Sequence, residues 1–167
     1  PMLRNQTRSD SILMPLLQDN PSQMVAGERS LYLRWFGGKS PYQVSISEDG
    51  QALTSQMVEN QWLKTQTLSL EATKTYQVTI KDANGQTMTE NFKVVATTID
   101  FPEALQEDIS LSPESRQTIW AMELAAQKRG QWMLEAYQQA SEMADKYYPA
   151  WLLRERLEKG LRVRKPK

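Results

Sequence analysis

Histidine and cysteine are both absent from the 167 residues, and that removes most catalytic chemistry at once. Without them the chain cannot build a Ser-His or Cys-His nucleophile, a zinc site of the usual donors, an iron–sulfur site or a disulfide. Carboxylates, amines, hydroxyls and phenols remain, and among these a pair of carboxylates flanking a scissile bond is the familiar hydrolytic arrangement. No spacing of acids singles out such a pair. The chain therefore reads as a non-enzyme that needs no cofactor, with a carboxylate-based enzyme left as the alternative.

Two short motifs invite a chemical reading. Asp82-Ala83-Asn84-Gly85 has the opening of a calcium loop but no Glu at the spacing that completes one; a hairpin turn accounts for it, and no metal is expected there. Gly37-Gly38-Lys39-Ser40 has the tail of a phosphate-binding loop, whose full form needs an earlier Gly, a buried strand before it and a helix after it. Pro41 and the strand pattern from Tyr42 argue for a tight inter-strand loop instead.

Charge is informative only locally. Twenty Lys and Arg balance 20 Asp and Glu, so no net field draws the chain to nucleic acid or membrane. Yet Arg154, Arg156, Lys159, Arg162, Arg164 and Lys165 form a basic tail opposed only by Glu155 and Glu158. The plain reading is a solvated end that complements a helix C-terminus. The sharper alternative is contact with anionic lipid or nucleic acid; nucleic acid is disfavoured because the rest of the chain shows no basic face with stacking aromatics. No run approaches the roughly 20 apolar residues of a membrane span, so membrane contact would come through an anchor outside this sequence or through the basic tail. With Pro at position 1, the chain reads as the soluble part of a longer exported or anchored precursor, periplasmic or otherwise extracytoplasmic, with a cytoplasmic protein as the alternative.

The elements that would position any site change in texture along the chain. Within residues 1–97, an N-terminal extension precedes a stretch from about Asn20 to Thr97 rich in Thr, Val, Ser and Gln; residues 98–112 form an acidic linker, and residues 113–167 are rich in Ala, Glu, Met and Leu, which favours strands first and helices later. Leu31, Leu33 and Trp35, then Tyr42, Val44 and Ile46, then Tyr76, Val78 and Ile80 alternate with polar residues as half-buried strands do. Weaker strands are expected near 52–58 and 62–70. Asn84-Gly85 predicts a type I′ hairpin turn, and Glu90, on the same face as Met88 and Phe92, predicts a bulge or an open edge.

The Leu-x-Leu-x-Trp strand ending at Trp35, the Tyr-x-Val-x-Ile strand from Tyr42, and Leu70 six residues before a second Tyr-x-Val-x-Ile strand at Tyr76 resemble the fibronectin type III pattern within the immunoglobulin-like sandwiches. The resemblance covers about residues 20–97. It implies an all-β sandwich in which Trp35 packs between the sheets and the Tyr76 hydroxyl makes a corner hydrogen bond to upstream backbone. The fold class expected is thus α+β by segment, an immunoglobulin-like sandwich followed by two or three helices. Such modules bind, space or display, and the resemblance implies no particular activity.

Ser112-Pro113-Glu114 supplies a cap, a first-turn Pro and an acid in helical order, predicting a helix to about Arg129, with a second over 131–147 and a third opening at Pro149. On the first helix Ile119, Met122 and Ala126 form one apolar stripe, and Trp120 and Leu124 another. A few short helices cannot all bury their apolar faces on one sandwich, so some of Trp120, Leu124, Leu134 and Trp151 are expected to stay exposed and bind another protein or a second copy. The resulting expectation is a non-catalytic interaction or structural module, such as the extracytoplasmic part of a bacterial envelope protein. A helical-repeat-like adaptor, from the faint tetratricopeptide-like spacing around Gly130, is the alternative.

Overall fold

The computed structural model describes residues 11–18, 21–161 and 163. Nine strands come first: β1 (Gln23–Val25), β2 (Gly27–Arg29), β3 (Tyr32–Arg34), β4 (Tyr42–Glu48), β5 (Gln51–Val58), β6 (Trp62–Lys64), β7 (Leu68–Leu70), β8 (Thr75–Lys81) and β9 (Thr87–Val95). Helices follow: α1 (Glu103–Glu107), α2 (Pro113–Ala125), α3 (Met133–Met143) and α4 (Tyr148–Glu158). The chain is α+β.

A five-stranded sheet has the order β1-β9-β8-β4-β5, with β1 parallel to β9 and the other pairs antiparallel. A second β layer consists of the ladders β2–β7 and β3–β6. Alternation places Tyr42, Val44, Ile46, Tyr76, Val78 and Ile80 of the larger sheet in one core with Leu31, Leu33, Trp35, Leu63, Leu68 and Leu70. Trp35 and Tyr76 are 0% and 1% exposed. The Glu71 N–H donates to the Tyr76 hydroxyl at 2.8 Å.

Two local expectations are corrected, and a third is narrowed. Residues 62–70 are not one strand: the Thr65 side chain accepts from Leu31 N–H while the Thr65 N–H donates to Leu31 C=O, both at 2.9 Å, so a hydroxyl interrupts the backbone ladder. The hairpin with two positive-φ residues is at Asp49 (φ 47°) and Gly50 (φ 80°), whereas in the later turn only Gly85 is left-handed. There Asp82 organises the loop, accepting from the N–H groups of Asn84 and Gln86 on one oxygen and of Lys39 on the other. At Glu90, where a bulge or an open edge is expected, it is the edge: the β8–β9 register is unbroken and β1 covers β9 only at residues 93–95, while a register irregularity falls between Ile46 and Ser47.

A segment with no strand or helix signature completes the core. Met14, Leu16 and Leu17 are buried, and Leu13 pairs with Phe36 through two 2.8 Å backbone bonds. Gly37 is required at this crossing: its φ is 78°, and a Cβ would stand 2.1 Å from the Ser11 carbonyl oxygen.

The helices end where local chemistry stops them. Ser112 Oγ accepts from Ser115 N–H at the start of α2. This helix stops at Ala125, short of Arg129, because Arg129 and Gly130 adopt φ of 62° and 66° in a separate tight turn. α4 ends in a Schellman arrangement, with Gly160 N–H on Leu157 C=O and Leu161 N–H on Arg156 C=O. α3 packs between α2 and α4 and also touches β1 and β3.

Candidate functional site

The helical layer shares one apolar core with the strands, and polar side chains attach it further at the free edge of the smaller β layer. Tyr32 has no strand on that side, and the Gln138 amide takes the place of one: its oxygen accepts from Tyr32 N–H at 2.6 Å and its nitrogen donates to Tyr32 C=O at 2.8 Å. One turn earlier, Glu135 forms an ion pair with Arg29 at 2.7 Å. Positions 135 and 138 share a face of α3 by their i, i+3 spacing, which is why one helix can hold two successive strands.

This attachment decides where the sequence-predicted contact residues lie. Trp120, Leu124 and Leu134 are 7%, 0% and 1% exposed, which corrects the expectation that they offer themselves to a partner. The linker supplies Phe101 against Trp120, with ring centroids 4.9 Å apart, and the three-helix packing encloses the two leucines. Trp151 is 37% exposed and stacks on Tyr148, itself 67% exposed. The stripe of α2 left uncovered is the other one, with Met122 44% exposed. Of the basic tail, Arg156 and Lys159 are exposed and Arg154 is half-buried, 3.9 Å from Glu155. Arg162, Arg164 and Lys165 lie outside the described residues.

Two concavities result. An apolar groove of about 820 Å³ runs between α2 and α4, lined by Met122, Pro149, Leu152, Leu161 and Val163 with Arg156 at its margin. Leu152 and Leu161 are 41% and 49% exposed. A polar cleft of about 840 Å³ lies between the β3–β6 ladder and the facing sides of α3 and α4. In the cleft the buried Tyr137 hydroxyl donates to Glu158 Oε2 at 3.1 Å, and Arg34 Nε stands 3.8 Å from Glu158 Oε1. Burial, helped by Glu155, holds the Glu158 carboxyl above the ordinary glutamate range against the pull of Tyr137 and Arg34. Burial and the Glu158 charge likewise raise the Tyr137 phenol, so it remains a proton donor. The members of this pair lie on different helices and leave no joint signal in the sequence.

Among the described residues, no group of three or more His, Cys, Asp or Glu is placed to hold a metal, and no helix is long and apolar enough to cross a membrane. No protein-family model and no curated protein matches the chain. Among solved structures it is similar to a β-1,2-glucanase from Parabacteroides distasonis, at 17% identity and a TM-score of 0.28, over 71% of this chain and 15% of that one. The chain thus spans less than two thirds of that enzyme, and a likeness this distant carries no argument about fold or function.

Proposed function

We propose that the chain is a non-catalytic protein-interaction module, an immunoglobulin-like, fibronectin type III-like sandwich whose helical layer receives an apolar, acidic segment of another protein. The strand order and the Tyr76 hydrogen bond to Glu71 N–H support the sandwich reading. The observation that carries the function is the groove between α2 and α4, where the apolar side chains of Met122, Leu152 and Leu161 are 44%, 41% and 49% exposed. Contiguous exposed apolar surface of this kind marks interaction sites, and helix-in-groove docking uses such geometry. Arg156 at the margin and exposed Lys159 favour a partner with acidic residues flanking its apolar ones. A place in the extracytoplasmic part of a bacterial envelope protein fits this reading.

The test uses two synthetic amphipathic peptides, one with Leu and Glu and one with Leu and Lys, titrated into the chain by calorimetry. The Glu peptide should bind with dissociation constants of roughly 1–100 μM and the Lys peptide should not. Leu152→Ser with Leu161→Ser should abolish binding without changing the melting temperature. Equal binding of both peptides, binding of neither, or concentration-dependent dimerisation lost in the double variant would overturn the heterologous-partner reading.

A further inference from the structure

We propose that the polar cleft between the β3–β6 ladder and helices α3 and α4 is a saccharide-binding site, with the Trp62 indole as the platform for a sugar ring. This goes beyond the protein-docking reading and uses a different face. Strand alternation turns Leu63 inward and leaves Trp62 57% exposed at the cleft wall. On the helical side, Tyr137, Ser141 and Asp145 recur every four residues and so line one face, with Glu142 beside them. The volume of about 840 Å³ is in the range of small-ligand sites.

Several groups here keep spare bonding capacity. Ser141 is 5% exposed, yet its hydroxyl has no well-formed hydrogen bond among the described residues. It interacts with the neighbouring Tyr137 hydroxyl, but not in good hydrogen-bond geometry, so it keeps capacity for a ligand. Glu142 and Asp145 line the cleft without an ion pair among the described residues. Arg34 is engaged within the protein: it donates to the carbonyls of Trp35 and Gln61, faces Glu158, and lies 4.4 Å from the Phe36 ring centroid.

The class of ligand follows from charge and shape. Glu142, Asp145, Glu155 and Glu158 are opposed by Arg34, Lys64 and Arg154, and burial moves Glu158 toward its neutral form. An anion would meet carboxylates and a polycation would meet guanidinium and ammonium groups, so neither gains. A neutral polyol can donate to the free carboxylates, accept from Ser141, Lys64 or Arg154, and lay its C–H face on the indole.

The probes are cellopentaose, laminaripentaose, maltopentaose, mannopentaose and N-acetylchitopentaose, each titrated to about 10 mM, a range that detects millimolar affinity. The readout is the indole N–H NMR resonance of Trp62, assigned by its loss in Trp62→Phe. At least one sugar should shift that resonance saturably. Asp145→Asn should weaken the binding about tenfold, roughly the effect of one lost charge-assisted hydrogen bond. Trp62→Ala should abolish binding in calorimetry, and Leu152→Ser should not alter it, which separates this site from the protein groove. No Trp62 shift with any of the five sugars would overturn the proposal. So would tighter binding of inorganic phosphate or of a tri-arginine peptide at the same resonance.

Discussion

One apolar core runs through the β layers and the helical layer, but buried polar contacts are concentrated where the helices meet the strands. Between the β layers, Trp35, Tyr42, Tyr76 and Phe92 are within 2% of complete burial, and their contacts are ring against ring: Trp35 edge-on to Tyr42 at 5.5 Å, Tyr76 stacked on Phe92 at 5.6 Å. Where the helices meet the β edge, the buried residues include Glu135, Gln138 and Glu158, each bonded to a strand residue or its backbone. Apolar packing is non-directional, whereas a buried amide or carboxylate is stable only with its partner in place. The first kind of contact supplies bulk stability and the second fixes how the helices sit.

The largest effect should come from the β core. Trp35→Ala should lower stability by about 3–5 kcal/mol, as truncation of a buried aromatic does, read from denaturant unfolding. Trp35→Phe should cost much less, because the Trp35 indole N–H has no acceptor among the described residues and only volume is lost. Equal losses for the two variants would mean that a hydrogen bond, not packing, secures this position, and the contrast between the layers would weaken.

Gln138→Ala tests the other side of the comparison. It leaves the N–H and C=O of Tyr32 without their partner and should cost about 1–3 kcal/mol. Its distinguishing mark should be spatial: amide exchange should accelerate in α3 and α4 while β4 and β8 keep their protection. Uniform acceleration across both regions would show one cooperative unit, with Gln138 no more a latch than any core residue.

The same contrast explains what the sequence revealed. Alternation at Tyr42, Val44 and Ile46 and at Tyr76, Val78 and Ile80 is a short-range signal, and those strands lie where it places them. The cap at Ser112 and the stop at Gly160 are likewise local. What escaped was long-range. The 106-residue separation between Tyr32 and Gln138 leaves no periodic trace, and Gln138 reads as an ordinary solvated helix residue. Trp120 is buried, against the expectation from its stripe, because Phe101 in the linker packs on it. Thr65 split a strand through a side-chain bond to Leu31 that β propensity does not encode. The polar cleft stayed hidden because its walls, at Trp62, Ser141 and Glu158, come from three elements; the one cue was an aromatic at an outward strand position.

Tyr76→Phe should have a moderate effect within the β region. It removes only the hydroxyl that accepts from Glu71 N–H, keeps the stack on Phe92, and should cost about 1 kcal/mol. A loss as large as that of Trp35→Ala would place a polar contact at the heart of the β core and erase the distinction drawn from the aromatic geometry.

The smallest effect, and the one that tests the helical layer most finely, is the pH dependence from Glu158. Its carboxyl is held above its ordinary value of 4.5, chiefly by burial. Between that value and the higher folded one, the folded state binds more protons than the unfolded, so stability falls as pH rises. The contribution is complete below about pH 4.5 and is lost as the pH passes through the folded value. Glu158→Gln keeps an oxygen for the Tyr137 hydroxyl and removes the titration. The melting temperature of the wild type minus that of the variant should therefore fall between pH 4 and 8, by calorimetry in matched buffers, while exposed carboxylates common to both cancel. A difference that instead grows with pH would mean that attraction to Arg34 outweighs burial, making the junction an ion-paired clamp like the one between Arg29 and Glu135.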